Sequence, residues 1–113
     1  MDNFIIRMAD MFKSLGDPTR LSIFSLLASH SEKKLCVCCI AKKLGISQPA
    51  ISQHLKVLKN VGLVDPNREG FKVHYSINKD VLITFKNDWE VLCKLDSNDI
   101  LCPEKDVCKK ENN

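Results

Sequence analysis

Gly45-Ile46-Ser47 stands between two short amphipathic segments, and this junction limits the fold more than any other feature of the chain. Upstream, a short helix is expected from about Cys38 to Leu44, with Gly45 as the residue that most readily takes the left-handed backbone ending a helix. Downstream, Ser47 offers a capping oxygen and Pro49 falls in the first turn, where its missing N–H costs nothing. Ile51, Leu55, Leu58 and Val61 then repeat at three-and-four spacing up to Gly62. Two helices joined this tightly make a helix-turn-helix. The period next changes to two. Leu63-Val64-Asp65 reads as a short strand and Pro66-Asn67-Arg68-Glu69-Gly70 as a turn. Phe71, Val73, Tyr75 and Ile77 alternate with Lys72, His74 and Ser76 as a half-buried second strand. A hairpin directly after a helix-turn-helix is a wing.

The flanks are helical. Phe4, Ile5, Met8, Met11, Phe12 and Leu15 mark a first helix stopped by Gly16, and Asp17-Pro18 opens a second with Leu21, Phe24, Leu27 and Ala28 as its expected buried stripe. His30 to Lys34 is a polar connection, and Val81, Leu82, Phe85, Trp89 and Leu92 mark a long last helix that also carries Cys93, one turn after Trp89 and expected in the core near the dimer interface. The fold class is therefore mostly α with a small β-hairpin, a winged helix-turn-helix over residues 1–95 followed by a polar, cysteine-containing tail over 96–113. Phe4, Met8, Phe85 and Trp89 give the terminal helices more apolar surface than one small core needs, which points to a homodimer through the first and last helices. No apolar run approaches the about 18 residues of a membrane span, and the start lacks a basic region followed by an apolar stretch. The expectation is a cytoplasmic protein without membrane contact.

Net charge is only +3, but residues 33–72 hold eight lysines and arginines against two acids, while 96–113 are net acidic. A basic middle is the electrostatic footprint of a polyanion. On the second helix of the pair, Ile51, Leu55, Leu58 and Val61 face inward, so Ser52, Gln53, Lys56 and Asn60 face outward, with Gln48 and Lys59 on the flank. Glutamine and serine can pair with base edges and lysine with phosphate. Gln48, Ser52 and Gln53 are thus the expected base readers in double-stranded DNA, with Lys56 and Lys59 on the backbone and Arg68, Lys72 and His74 of the wing as candidates to reach phosphate or the minor groove. His54 lies toward the apolar side and is read as a packed or hydrogen-bonded histidine.

Six cysteines are many for 113 residues, and Cys36, Cys38 and Cys39 fall within four positions. In a reducing compartment such a cluster points to metal binding or redox sensing rather than stapling. Thiolates are soft ligands, suited to zinc, cadmium, lead and three-coordinate arsenite, and a helix N-terminus favours the thiolates of Cys36 and Cys38. Cys102 and Cys108 in the tail are further thiols able to complete a site or to pair.

With these residues in view, the chain resembles the ArsR/SmtB family of winged-helix repressors over nearly all of residues 4–95. Phe12-Lys13-Ser14-Leu15-Gly16-Asp17-Pro18-Thr19-Arg20-Leu21 resembles the family's entry to its second helix. Ser47 to Leu58 is similar to its recognition helix, Gly62-Leu63-Val64 and Arg68-Glu69-Gly70 to its wing, and Leu35-Cys36-Val37-Cys38 to the third helix of its arsenic-, cadmium- and lead-sensing members. The resemblance implies a homodimer on an inverted-repeat operator, with repression relieved by a reversibly bound effector that the fold itself does not need. The chain departs from the family in its ligands. Cys39 stands where the family has an acid, Lys34 where it has glutamate, and Ala41 where the arsenic subgroup has a third cysteine. Residues 1–35 hold none of the arm cysteines of the cadmium and lead subgroup. The carboxylate-and-histidine zinc site of the last helix is missing too, since Leu82 stands two residues after Asp80.

Three functions compete. The first is a repressor released by a thiol-binding effector at Cys36, Cys38 and Cys39. The second is a redox- or persulfide-sensing repressor using a cysteine pair. The third is an effector-independent winged-helix adaptor. A thiol enzyme is disfavoured, because the chain shows no nucleophile–base–orienter set.

Overall fold

The structure, a computed structural model, describes residues 2–30 and 34–94. Helix α1 (Asn3–Leu15) is capped by the Asp2 carboxylate, which accepts from the Phe4 N–H, and α2 (Pro18–Ser29) by Asp17, which accepts from the Arg20 N–H. Strand β1 (Leu35–Cys36) runs straight into α3 (Val37–Leu44). Gly45 ends α3 with φ +67°, the left-handed conformation expected of it, and Ser47 caps α4 (Gln48–Asn60) by accepting from the Ala50 N–H. Strands β2 (Val64–Glu69) and β3 (Lys72–Ile77) form the wing, and α5 (Lys79–Cys93) completes the order. The winged helix-turn-helix expected from the sequence is the observed fold.

The core is built around α4. Ile51, Leu55 and Leu58 are fully buried, as their spacing predicts, against Ile23 and Leu27 of α2, Ile40 of α3, and Leu63 and Val64 at the entry to the wing. Each such side chain contributes about 1.5–3 kcal/mol by leaving water. α4 is therefore a helix with one wholly dry face. At the other end of the molecule, Arg7 of α1 donates through Nε and Nη2 to Asp88 of α5 at 3.1 and 2.7 Å, and Phe12 meets both Phe85 and Trp89 edge to face at 5.2 Å.

Several sequence expectations need correction. The sheet has three strands in the order β1-β3-β2, because Leu35 pairs with Tyr75 and Cys36 with His74. Two residues are too few to show a period of two, so β1 was invisible in the pattern. Pro66 lies inside β2 rather than in a turn. It is tolerated because β2 is an edge strand, where an N–H can point away from the ladder. The true turn is Gly70-Phe71: Gly70 has φ +65° and no non-glycine residue among the described residues has positive φ, the pattern of a type II′ hairpin. Phe71 therefore sits fully exposed at the wing tip and is not part of the half-buried strand face. On α2 the buried stripe is Ile23 and Leu27, whereas Leu21 and Ala28 are exposed; α2 has apolar residues all round, and spacing alone does not choose its face. Cys93 is exposed, and no residue of α5 is buried within the single chain.

Leu55→Ala removes the centre of the α4 seam and should cost about 2–5 kcal/mol of stability. Urea unfolding should show a lower midpoint at an unchanged slope. Val57→Ala, on the exposed side of the same helix, should leave the midpoint nearly unmoved.

Candidate functional site

The α4 cap and stripe fix which side chains meet solvent. Gln48, Ser52, Gln53, Lys56 and Lys59 are all exposed, as are Arg68 and Lys72 on the wing, whereas His74, the third wing candidate for DNA, is half-buried with its Nδ1 out of reach of solvent. Lys42 and Lys43 at the end of α3 are exposed as well and extend the basic face. On the wing, Glu69 faces Lys34 of the β1 approach at 4.0 Å. Phe71, flanked by Arg68 and Lys72, places an aromatic ring at the outermost point of this basic wing. Its place at the tip follows from the Gly70 turn, the signal that the alternating pattern obscured.

His54 is half-buried and anchors the back of α4. Arg20 Nη1 lies 3.3 Å from His54 Nδ1, and the Arg20 Nε donates to the Ser14 carbonyl in the α1–α2 corner. An arginine only donates, so Nδ1 accepts and a neutral His54 carries its proton on Nε2. Asp17 Oδ2 stands 3.9 Å from the same Nδ1. Its carboxyl lies below the usual range, first through the Arg20 backbone N–H and then, against some desolvation, through the Arg20 and His54 charges. His54 is a positioning residue, as its place on the helix wheel suggested.

The thiol cluster lies where β1 becomes α3. Cys36 is at once the last residue of β1 and the N-cap of α3, with Cys38 and Cys39 in the first turn. Cys36 Sγ is 3.2 Å from Cys38 Sγ and 3.1 Å from Cys39 Sγ, and all three sulfurs lie within 4.8 Å of one another. Cys36 is half-buried and the other two are exposed. With all thiols protonated, Cys36 donates to Cys39. Loss of the Cys36 proton reverses that bond. The Cys36 pKa is lowered to about 7, chiefly because the Cys39 and then the Cys38 thiol donate to its thiolate, with the Cys39 backbone N–H behind them. The Cys39 pKa is raised by the same bond and by the Cys36 charge. The thiolate expected at Cys36 is thus favoured mainly by neighbouring thiols rather than by the helix terminus.

Three sulfurs bound to one ion at about 2.3 Å stand about 3.8 Å apart in a tetrahedral set. The cluster needs only small side-chain rotations to reach that spacing, and its donor set suits a soft ion. Cys38 also lines a groove of about 460 Å³ with Ala41, Lys42, Ile46, Ser47 and Gln48, so one thiol of the cluster and the first residue of α4 share a surface depression. Cys102 and Cys108 lie outside the described residues. Across the sheet from Cys36, His74 has a buried Nδ1 without a hydrogen-bond partner among the described residues.

Residues 17–65 match the family described as "Bacterial regulatory protein, arsR family". The chain is 45% identical over 74 residues to an uncharacterized HTH-type transcriptional regulator of Methanocaldococcus jannaschii, covering 66% of this chain and 81% of that protein. It is 42% identical over 71 residues to the arsenical resistance operon repressor of Escherichia coli, covering 63% of this chain but only 59% of that relative. Among solved structures, the homodimeric winged helix-turn-helix DNA-binding domain of a possible ArsR-family regulator from Mycobacterium bovis superimposes with a TM-score of 0.63 at 31% identity, covering 80% of this chain and 82% of that one. These relatives are named as transcriptional regulators, and none of these names describes an enzyme.

Alkylation by iodoacetamide should reach Cys36 with a half-maximal rate at about pH 7, because the reactive species is its thiolate. Cys39 should react only at higher pH. Peptide mapping after timed labelling checks the order, and equal pH profiles for the two residues would contradict it.

Proposed function

The chain belongs to the ArsR family of bacterial regulatory proteins, and on that premise we propose that it is a cytoplasmic repressor released from its operator when a soft metal or metalloid engages Cys36, Cys38 and Cys39. DNA-binding regulation follows from the family and the fold. The effector reading is carried by one observation: three sulfurs within 4.8 Å of one another at the head of α3, one of which, that of Cys38, lines a groove with Ser47 and Gln48. Arsenite, cadmium, lead and zinc all suit thiolate ligands, and the named arsenical resistance relative supports the same chemistry.

On DNA, Gln48, Ser52 and Gln53 read base edges in the major groove while Lys56 and Lys59 meet phosphates. Arg68 and Lys72 bring the wing to the neighbouring backbone, and Phe71 meets the minor-groove wall as an apolar tip. The protein acts as a homodimer on an inverted repeat. Ile5, Ile6 and Phe12 on α1 and Ile83, Trp89 and Val91 on α5 are exposed in the single chain, a surface that a partner copy would cover. The two recognition helices then meet half-sites about 34 Å apart.

Bound thiolates neutralise a soft cation or complete the shell of a metalloid, and the protein gains when this happens in the DNA-free form. Cys36 is tied to the sheet and Cys38 to the α3–α4 groove, so drawing their sulfurs together acts on the angle between wing and reading helix. A second reading, redox sensing, draws on the approach of an ionised Cys36 to the Cys39 thiol at 3.1 Å. A peroxide would take two electrons from that pair and leave a disulfide and water.

A Cys36→Ser/Cys38→Ser variant should bind operator DNA as the wild type does yet fail to leave it when arsenite or cadmium is added. Fluorescence anisotropy of an operator duplex, selected by the protein from a random library, gives both quantities. Normal release by the variant would contradict the proposal. Release of the wild type by peroxide but not by arsenite or cadmium would favour the redox reading instead.

A further inference from the structure

The three-thiol reading leaves one group beside the cluster unused. His74 lies directly across from Cys36 in the β1–β3 ladder, so the two side chains leave the sheet on the same face, with Cβ atoms about 4.5–5.5 Å apart. Its Nδ1 is buried and without a hydrogen-bond partner among the described residues. Native proteins rarely leave such an atom unpaired, and a missing ion is one standard reason. The atom belongs to the residue type that most often joins cysteine around zinc.

We propose that His74 is the nitrogen ligand that completes a Cys3His site for a tetrahedral divalent ion, with Cys36, Cys38 and Cys39 as the sulfur ligands. The inference rests on the three-thiol reading and extends it. Arsenite is satisfied by three sulfurs, whereas zinc and cadmium seek a fourth donor. The three sulfurs form a close group by themselves, so His74 joins by rotation about its side-chain bonds, within the reach of a directly opposed pair. The two effector classes then act differently on the fold. Three-sulfur binding reaches β3 only through the backbone pairing of Cys36, while four-ligand binding also holds that central strand, which carries the wing, by the His74 side chain.

The test uses the reduced full chain with cobalt(II) and zinc(II) as tetrahedral probes and arsenite as the three-coordinate one. Zinc X-ray absorption of the wild type should show three sulfurs at about 2.3 Å and one imidazole nitrogen at about 2.0–2.1 Å. His74→Gln and His74→Asn should lose the imidazole signal and bind cobalt(II) at least about tenfold more weakly, while arsenite affinity stays within about twofold. Four sulfurs, or three sulfurs with water, in the wild type would overturn the proposal. So would unchanged cobalt(II) binding by both variants, or parallel loss of cobalt(II) and arsenite, which would assign His74 to the folding of the cluster. Failure of the three-thiol reading looks different: the wild type would take up no arsenite, or Cys36→Ser/Cys38→Ser would take it up unchanged.

Discussion

Two backbone-paired residues hold the functional parts of this molecule together. Leu35 and Cys36 pair with Tyr75 and His74, and Leu35 is buried beneath them. The next residue already belongs to α3. The wing, the thiol cluster and the helix-turn-helix therefore share one short piece of chain, with no free linker between sensing and reading. From there the path to α4 crosses only Gly45-Ile46-Ser47, and α4 is seated by Ile51, Leu55 and Leu58 in a dry seam. A packed core of this kind shifts between arrangements rather than deforming smoothly. In the proposed mechanism a pull on the Cys36 and Cys38 sulfurs would be passed to α4 instead of being absorbed locally.

The cluster's electrostatics suit a responsive site. A lone exposed thiol is mostly protonated at neutral pH, but Cys36 is drawn to about 7 by two thiol donors. One member of the triad is therefore a ready nucleophile or ligand, and Cys39 keeps its proton until an effector displaces it. Metal uptake should accordingly release protons and strengthen as pH rises.

Much of this was legible in the residues. The helix-turn-helix was visible because its capping residues, glycine stop and apolar spacing all agree, and of the four residues that the spacing selects Ile51, Leu55 and Leu58 are buried in α4 while Val61 is half-buried at its C-cap. The cysteine cluster was visible because three sulfurs in four positions on a strand-to-helix junction have little choice but to meet. The hidden parts share a physical cause: they depend on partners distant in sequence. β1 exists only because β3 supplies its ladder, Phe71 reaches the wing tip only because Gly70 turns first, and the Cys36–His74 pairing is a matter of strand register. Apolar α2 showed no preferred face, and Cys93 is exposed in the single chain, whereas the exposed Trp89 agrees with the excess apolar surface read on the last helix.

The central claim is an energetic coupling between the thiol cluster and DNA. It is tested most directly by measuring operator affinity of the reduced full chain at fixed salt, with and without saturating arsenite. A coupling of about 1–3 kcal/mol predicts a loss of affinity of about 5–150-fold, with arsenite bound more weakly to the DNA complex by the same factor. Equal operator affinities at demonstrated saturation of the cysteines would contradict the account.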